Sequence, residues 1–266
     1  MRAGLSAKEA ADRLLSSPTK ISRLENAQRN ATLRDVRDLC EIYGITEPAV
    51  RDELMDLARG SRERGWWQNM GLDPALEALI GMEGAARSIR EFEPLALPGL
   101  LQTRSYARAM LEKWRADDPA GQDLAVEVRM RRQQIFEAAS PPTIRVIVDE
   151  AALRRVVGGK TVMREQLEHL ADLAETDVEV QVIRFSAGAH LGMSSGFTIL
   201  EFAQPTTLNP EATIPAVVYA ETLGGATYLD GPKDVRAYVE AFAGLSAQAL
   251  SRADSLNLLR LVTQEL

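Results

Sequence analysis

The spacing of apolar residues changes once along the chain, after Ser140-Pro141-Pro142. Before this point, the helical spacing of apolar residues predicts helices over residues 74–90, 102–115 and 124–139. After it, strand-like patterns occupy residues 143–148, 177–183, 197–202 and 216–220, and helical patterns occupy residues 165–175 and 233–253. Strands interleaved with helices predict a mixed sheet that carries helices on at least one face.

The first sixty residues contain start signals for four short helices. Ser6 and Glu9 have the spacing of a capping box, in which each side chain satisfies a free amide at the helix start. Ser17 caps a second helix with proline at its first position, Thr32 starts a third, and a fourth follows residues 46–48. Apolar residues follow each start at helical spacing, so we predict an all-α N-terminal domain.

Charge is divided unevenly along this chain, whose net charge is −7 at pH 7. Residues 1–37 contain eight Lys or Arg and four Asp or Glu, a net charge of +4, so the remainder carries −11. This balance argues against a protein that coats nucleic acid along its whole surface. It fits a protein that touches DNA with one end.

Composition indicates a cytoplasmic protein. Hydrophobic residues make up 45% of the chain and charged residues 26%, the ordinary mix of a soluble globular protein. We find no apolar run long enough to span a membrane and no signal-peptide pattern at the N-terminus. The single cysteine, Cys40, cannot form an internal disulfide, and we predict that it is a small buried side chain.

Two of the short helices, joined by residues 15–17, have the spacing of a helix-turn-helix. The outward face of the second helix is polar and consists of Pro18, Thr19, Lys20, Ser22 and Arg23. A helix can enter the major groove, where hydroxyl, ammonium and guanidinium groups reach base acceptors and phosphates. The pattern alone fits an ordinary solvated helix pair equally well.

Residues 6–45 resemble the Xre, or Cro/repressor-type, helix-turn-helix, especially in the segment SPTKISRLE at residues 17–25. The rest of the chain resembles the large C-terminal domain of WhiJ-type regulators, which are abundant in streptomycetes and related actinobacteria. The matching stretches are residues 64–67, 89–94, 97–103 with Tyr106 and Ala107, 185–190, and 218–221.

This resemblance implies a DNA-binding regulator that is antitoxin-like and is often encoded beside a very small partner protein. Carried over residue by residue, it implies that Pro18, Thr19, Lys20 and Arg23 face the groove. It also implies positions near phosphates for Ser17, Ser22, Arg29 and Asn30.

Three departures from the family pattern motivate an alternative function. Only residues 1–5 precede the capping box, Leu15 and Ala27 replace expected glycines, and Ala7 stands where glutamine is common. A leucine or alanine held at positive φ costs about 1 kcal/mol. The alternative is a protein-interaction, antitoxin-like module with a degenerate helix-turn-helix that no longer binds DNA alone.

The loop around His190 is the best candidate for enzyme chemistry. Residues 192–196 fit the spacing glycine-x-serine-x-glycine, but they do not lie between a predicted strand and a helix, as that motif requires. Two distant histidines and one distant cysteine do not supply the three or four ligands of a metal site. We therefore expect no enzyme activity, no metal and no cofactor.

These patterns predict a chain of the mixed α+β class with three regions. Residues 1–64 are assigned to the helix-turn-helix domain, 65–140 to a helical connecting region, and 141–266 to an α/β domain that dimerises and binds an effector or a small partner protein. We expect a homodimer because one short recognition helix reads few bases, whereas a two-fold pair reads two half-sites. Trp66 and Trp67 are expected to anchor the first domain, with burial by a partner as the alternative.

Overall fold

The computed structural model describes residues 5, 7–14, 16–25, 31–60, 65–114, 118–202, 216–222 and 225–266. Contacts divide these residues into two compact units, the residues up to 69 and the residues from 70 onward. We call the first unit the head and the second the body. Among the described helices, none combines the length and the apolar character that crossing a membrane requires.

The described part of the head consists of the helices α1 (Ala7–Arg13), α2 (Pro18–Glu25), α3 (Leu33–Ile42) and α4 (Pro48–Gly60). Ala10 and Ala11 of α1 and Ile21 of α2 form a buried centre, and Leu14 and Leu39 pack partly against it. Cys40 is also buried, as predicted. The all-α character of this region is confirmed, whereas Ser6 of the expected capping box lies outside the described residues.

The described part of the body contains helices and six strands. The helices are α5 (Pro74–Ala85), α6 (Arg104–Trp114), α7 (Pro119–Arg132), α8 (Glu150–Arg154), α9 (Lys160–Ala174), α10 (Pro232–Gln248) and α11 (Arg252–Glu265). The strands are β1 (Ala86–Glu93), β2 (Thr143–Asp149), β3 (Glu179–Ile183), β4 (Phe197–Phe202), β5 (Val217–Thr222) and β6 (Gly225–Leu229). Together with the helical head, these elements confirm the mixed α+β class.

The six strands form one mixed sheet in the order β3-β2-β1-β4-β5-β6. Strands β1, β2 and β3 are parallel, whereas β4, β5 and β6 join them as antiparallel neighbours. Ile89 at the centre of β1 is paired with Ile144 on one side and Leu200 on the other. The mixed sheet predicted from the sequence is confirmed.

Helices pack on both faces of the sheet because successive strand residues point to opposite sides. Val146 and Val148 of β2 belong to the larger core cluster, with Leu167 of α9 and Leu259 of α11. Ile147, which lies between these two valines, belongs instead to a second cluster that contains residues of α10. The core of the body therefore consists of two layers with the sheet between them.

Strand β1 corrects the sequence analysis, which predicted a single helix over residues 74–90. Helix α5 ends at Ala85, and Ala86–Glu93 lies in the middle of the sheet between β2 and β4. Arg90 and Glu91 in this strand are largely buried, and Arg90 donates to Glu201 of β4 at 2.5 Å. Charged residues at inward positions hide the alternation that marks a strand, so local pattern did not reveal it.

A second correction concerns the C-terminal helix predicted over residues 233–253. Helix α10 ends at Gln248, and α11 starts after Ser251, whose side chain accepts a hydrogen bond from the amide of Asp254. Between them, the amide of Leu250 donates to the carbonyl oxygen of Val182 at 2.9 Å. This hydrogen bond joins the segment between α10 and α11 to the edge strand β3. The long-range contact ends α10 at a point where the spacing of apolar residues alone predicts that the helix continues.

The remaining differences concern element ends and short elements. Helix α7 spans Pro119–Arg132 instead of 124–139, and α6 begins at Arg104 instead of 102. The helix predicted to contain residues 165–175 is confirmed as α9, which spans Lys160–Ala174. Strand β3 begins at Glu179 instead of 177, and β5 spans Val217–Thr222 instead of 216–220. Helix α8 and strand β6 were not predicted.

Candidate nucleic-acid interface

Small side chains allow α1 and α2 of the head to pack closely. Ala10 and Ala11 of α1 are fully buried, and Ile21 of α2 packs with them. At the end of α1, the amides of Leu14 and Ser16 donate hydrogen bonds to the carbonyl oxygens of Ala10 and Ala11, at 3.0 and 2.9 Å respectively. The packing of Ala10 and Ala11 with Ile21 holds the two helices of the expected motif together.

The start of α2 presents polar side chains to solvent. Ser17 caps the helix as predicted, because its hydroxyl oxygen accepts a hydrogen bond from the amide of Lys20 at 3.1 Å. Ser17, Pro18 and Thr19 are exposed, whereas Ser22 is half-buried. The structure therefore brings three of the expected site residues together at one exposed helix terminus.

Lys20 has a partner within the head. Its Nζ atom lies 2.5 Å from Oδ1 of Asp35, whose side chain is only 11% exposed. Asp35 also belongs to a capping box at the start of α3: its carboxylate accepts from the amide of Thr32 at 3.0 Å, and the Thr32 hydroxyl accepts from the amide of Asp35 at 2.9 Å. The ion pair thus joins α2 to the start of α3.

The charge on Asp35 is strongly stabilised. Burial raises the pKa of Asp35, but hydrogen bonds from Lys20 and Thr32 outweigh burial and lower this pKa to about 2. The sequence analysis recognised the start of α3 at Thr32 but missed the ion pair. The spacing of Thr32 and Asp35, which is that of a capping box, was the available signal in the sequence. Only the fold shows that Lys20 is the cation that reaches the Asp35 carboxylate.

Of the other expected site residues, only Arg23 is among the residues that the structure describes. Arg23 lies within α2, one turn beyond Thr19. Arg29 and Asn30 lie outside the described residues, as do Leu15 and Ala27, where the family pattern has glycine. Their expected roles stay predictions.

Trp66 and Trp67 contact each other within the head. Their rings meet edge to face, with centroids 5.7 Å apart, and both residues are half-buried. Their expected anchoring role stays a prediction.

His190 of the body is buried against the end of the sheet. Its side chain is 4% exposed, and its Nε2 atom lies 3.0 Å from Oδ2 of Asp149. Its ring also contacts Phe92 edge to face, with centroids 5.8 Å apart. Within the described ranges no hydrogen bond joins His190 to Ser194 or Ser195, and no group of three or more His, Cys, Asp or Glu could hold a metal ion.

Comparison with known families assigns both parts of the chain. Residues 1–54 match the model of a helix-turn-helix domain. Residues 76–261 match the model of a domain of unknown function, DUF5753. No curated protein and no solved structure matched the chain. Because the second model covers more than half of the chain, the protein belongs to the family defined by the DUF5753 domain.

Proposed function

We propose that the protein is a sequence-specific, DNA-binding transcriptional regulator that inserts α2 into the major groove. The match of residues 1–54 to a helix-turn-helix domain carries this proposal. The exposed polar start of α2 supports it, because the N-terminal residues of a recognition helix are those that contact base edges.

We propose different roles for the polar and charged residues of the head. In our proposal Thr19 and Arg23 read bases, because they lie one turn apart on the same helix. Lys20 instead holds α2 against α3 through its ion pair with Asp35. Arg34 and Arg37 of α3 have well exposed side chains and are further candidates for phosphate contacts, beside the expected contacts of Arg29 and Asn30.

For the body, we propose a homodimer that binds an effector or a small protein encoded by a neighbouring gene, without enzyme activity. The support is the resemblance to WhiJ-type regulators and the two-fold geometry of helix-turn-helix recognition. A regulator of this kind acts in the cytoplasm, where DNA is accessible and a lone thiol such as Cys40 stays reduced.

One observation favours a second candidate, the interaction module that does not bind DNA alone. Lys20, one of the expected base readers, is engaged inside the head by Asp35. If Thr19 and Arg23 do not suffice for recognition, the head serves only to contact protein.

A fluorescence anisotropy titration separates the two candidates. The full chain is titrated with a labelled duplex from the promoter of its own gene and with a shuffled duplex of equal length. We expect tighter binding to the promoter, and Arg23→Ala to reduce that preference by about 1–3 kcal/mol. Arg145→Ala, which removes an exposed arginine of β2, is the matched control and should bind as the parent does. Equal binding of the two duplexes, with and without the neighbouring small protein, would favour the interaction module.

A further inference from the structure

The sheet of the body has two edges, and the described residues cover only one of them. At the edge strand β3, the amide of Val182 donates to the hydroxyl oxygen of Ser255 at 3.0 Å, and the carbonyl oxygen of Val182 accepts from the amide of Leu250 at 2.9 Å. The side chain of Gln181 also donates to the carbonyl oxygen of Leu250, at 3.0 Å. The first turn of α11 and the segment before it therefore occupy the outer hydrogen-bonding groups of Val182.

The opposite edge, strand β6, has no such cover in the described part of the chain. Its five residues continue the pairing with β5 from Gly225 to Leu229 without a bulge. Alternate residues of an antiparallel strand direct their N–H and C=O groups away from the paired strand. Among the described residues, the backbone of β6 forms no hydrogen bond with any element except β5. The outer side of β6 can therefore accept another strand.

The sequence of β6 does not protect this edge. Proteins usually shield an exposed edge strand with a lysine, a proline or a bulge, or cover it with another segment. Strand β6 has the sequence GATYL at residues 225–229, which contains neither charge nor proline. Thr227 at its centre is exposed, and Tyr228 and Leu229 are half-buried. Strand β6 thus has the composition of a strand that pairs on both sides.

The helix beside this edge does not obstruct a second chain. The hydroxyl of Tyr228 donates to the carbonyl oxygen of Ala75 at 2.5 Å, so the start of α5 lies next to β6. The outer face of α5 carries small, uncharged residues that are exposed or half-buried, namely Pro74, Ala78, Gly81 and Ala85. The outer face of a surface helix is ordinarily charged, whereas no charged side chain on this face opposes the approach of a partner.

We propose that β6 pairs with β6 of a second copy of this chain, antiparallel and about a two-fold axis, so that the two sheets become continuous. The register that pairs all five residues sets Thr227 opposite its counterpart and Ala226 opposite Tyr228 of the other copy. The axis is perpendicular to the sheet, so the two α5 helices lie on the same face and enlarge the interface. This interface rests on the homodimer proposed above and specifies the surface that forms it.

Two features select a second copy as the occupant of this edge. Two identical antiparallel strands are related by a two-fold axis, so one edge supplies both halves of the interface. Since the first turn of α11 and the segment before it cover β3, β6 cannot pair with β3 of a further copy, which would give an open-ended assembly. Pairing therefore closes at the dimer.

Analytical ultracentrifugation of the full chain over a range of concentrations tests this interface. We expect the parent to reach twice the 29.2 kDa mass of one chain. Thr227→Lys should raise the dissociation constant of the dimer about tenfold or more, because it sets two ammonium groups opposite each other. Thr227 is exposed, so this variant should fold. Thr143→Lys, the same change at an exposed position of β2, is the matched control and should dimerise as the parent does.

A mixture of two variants separates a lost interface from a damaged fold. Thr227→Lys and Thr227→Glu should each dimerise weakly alone, whereas their mixture should form a dimer about tenfold tighter or more, because opposite charges then face each other. A parent that stays monomeric would overturn both this interface and the proposed homodimer, and would leave the edge of β6 to a strand of another protein. A dimeric parent that neither Thr227 variant weakens would overturn this interface alone and leave the proposed homodimer standing.

Discussion

The head and the body place their charges in opposite positions. In the head, Arg34, Arg37 and the ion pair of Lys20 with Asp35 lie at or near the surface, around a core whose buried centre is two alanines and one isoleucine. In the body, the pair of Glu83 with Arg132 lies deep between sheet and helices, with Glu91 beside it.

This difference indicates that charged residues serve different purposes in the two units. Surface charges cost little free energy and remain available to a charged partner such as DNA. Buried charges are costly unless they are matched, so the interior of the body depends on each pairing that it makes. Variants that remove one charged residue from each unit should therefore differ in how much stability they lose and in how that stability depends on pH.

The largest effect is expected for Arg132→Ala in the body. This change leaves Glu83 buried without its two hydrogen bonds, which should destabilise the body by about 3–5 kcal/mol. Arg104→Ala, which breaks an exposed pair with Glu127, is the matched control and should cost less than about 1 kcal/mol. Chemical denaturation of the full chain measures both, and equal losses would show that burial does not decide the cost.

A smaller effect, of opposite sign in the two units, is expected from pH. The pKa values of Glu91 and Glu93 are raised in the folded body, so their contribution to stability is present at low pH and is lost as the pH rises through about 7–8. The pKa of Asp35 is lowered, so its contribution to the head is present above about pH 4 and is lost as the pH falls towards 2.

The body should therefore melt a few degrees lower at about pH 9 than at about pH 6. Differential scanning calorimetry of the full chain measures this shift, and Glu91→Gln should reduce it because the amide does not titrate. A shift of unchanged size in that variant would mean that other groups cause it.

The smallest effect on stability is expected for Asp35→Ala in the head. It removes the ion pair with Lys20 and one half of the capping box, at a cost of about 1–2 kcal/mol. Hydrogen exchange of the amides of α2 and α3 in the full chain reports this loss. Asp38→Ala, which breaks only the pairs with the exposed Arg34 and Arg37, should leave that exchange nearly unchanged.

The sequence predicted the elements whose signals are local. Ser17 and Thr32 start helices through side chains that bond amides three residues away, and such signals can be recognised without a fold. The strands β2 and β4 were also predicted at or within one residue of their ends, because their apolar residues are grouped together.

The elements that the sequence analysis missed depend on distant partners. Strand β1 carries Arg90 and Glu91 in its interior, and their partners lie on β4 and α7. The break between α10 and α11 is set by pairing of Leu250 with β3. In the candidate interface, the ion pair of Lys20 was missed for the same reason, because its partner Asp35 lies on another helix.

The salt dependence of DNA binding tests the central claim, that the head alone provides the DNA interface. The full chain and a fragment of residues 65–266, checked for folding by circular dichroism, are titrated with the promoter duplex at several salt concentrations. The affinity of the full chain should fall steeply with salt, because its arginines and lysines release counterions from the phosphates. The acidic fragment should not bind. A folded fragment that binds the promoter with the same affinity and the same salt dependence as the full chain would contradict the account.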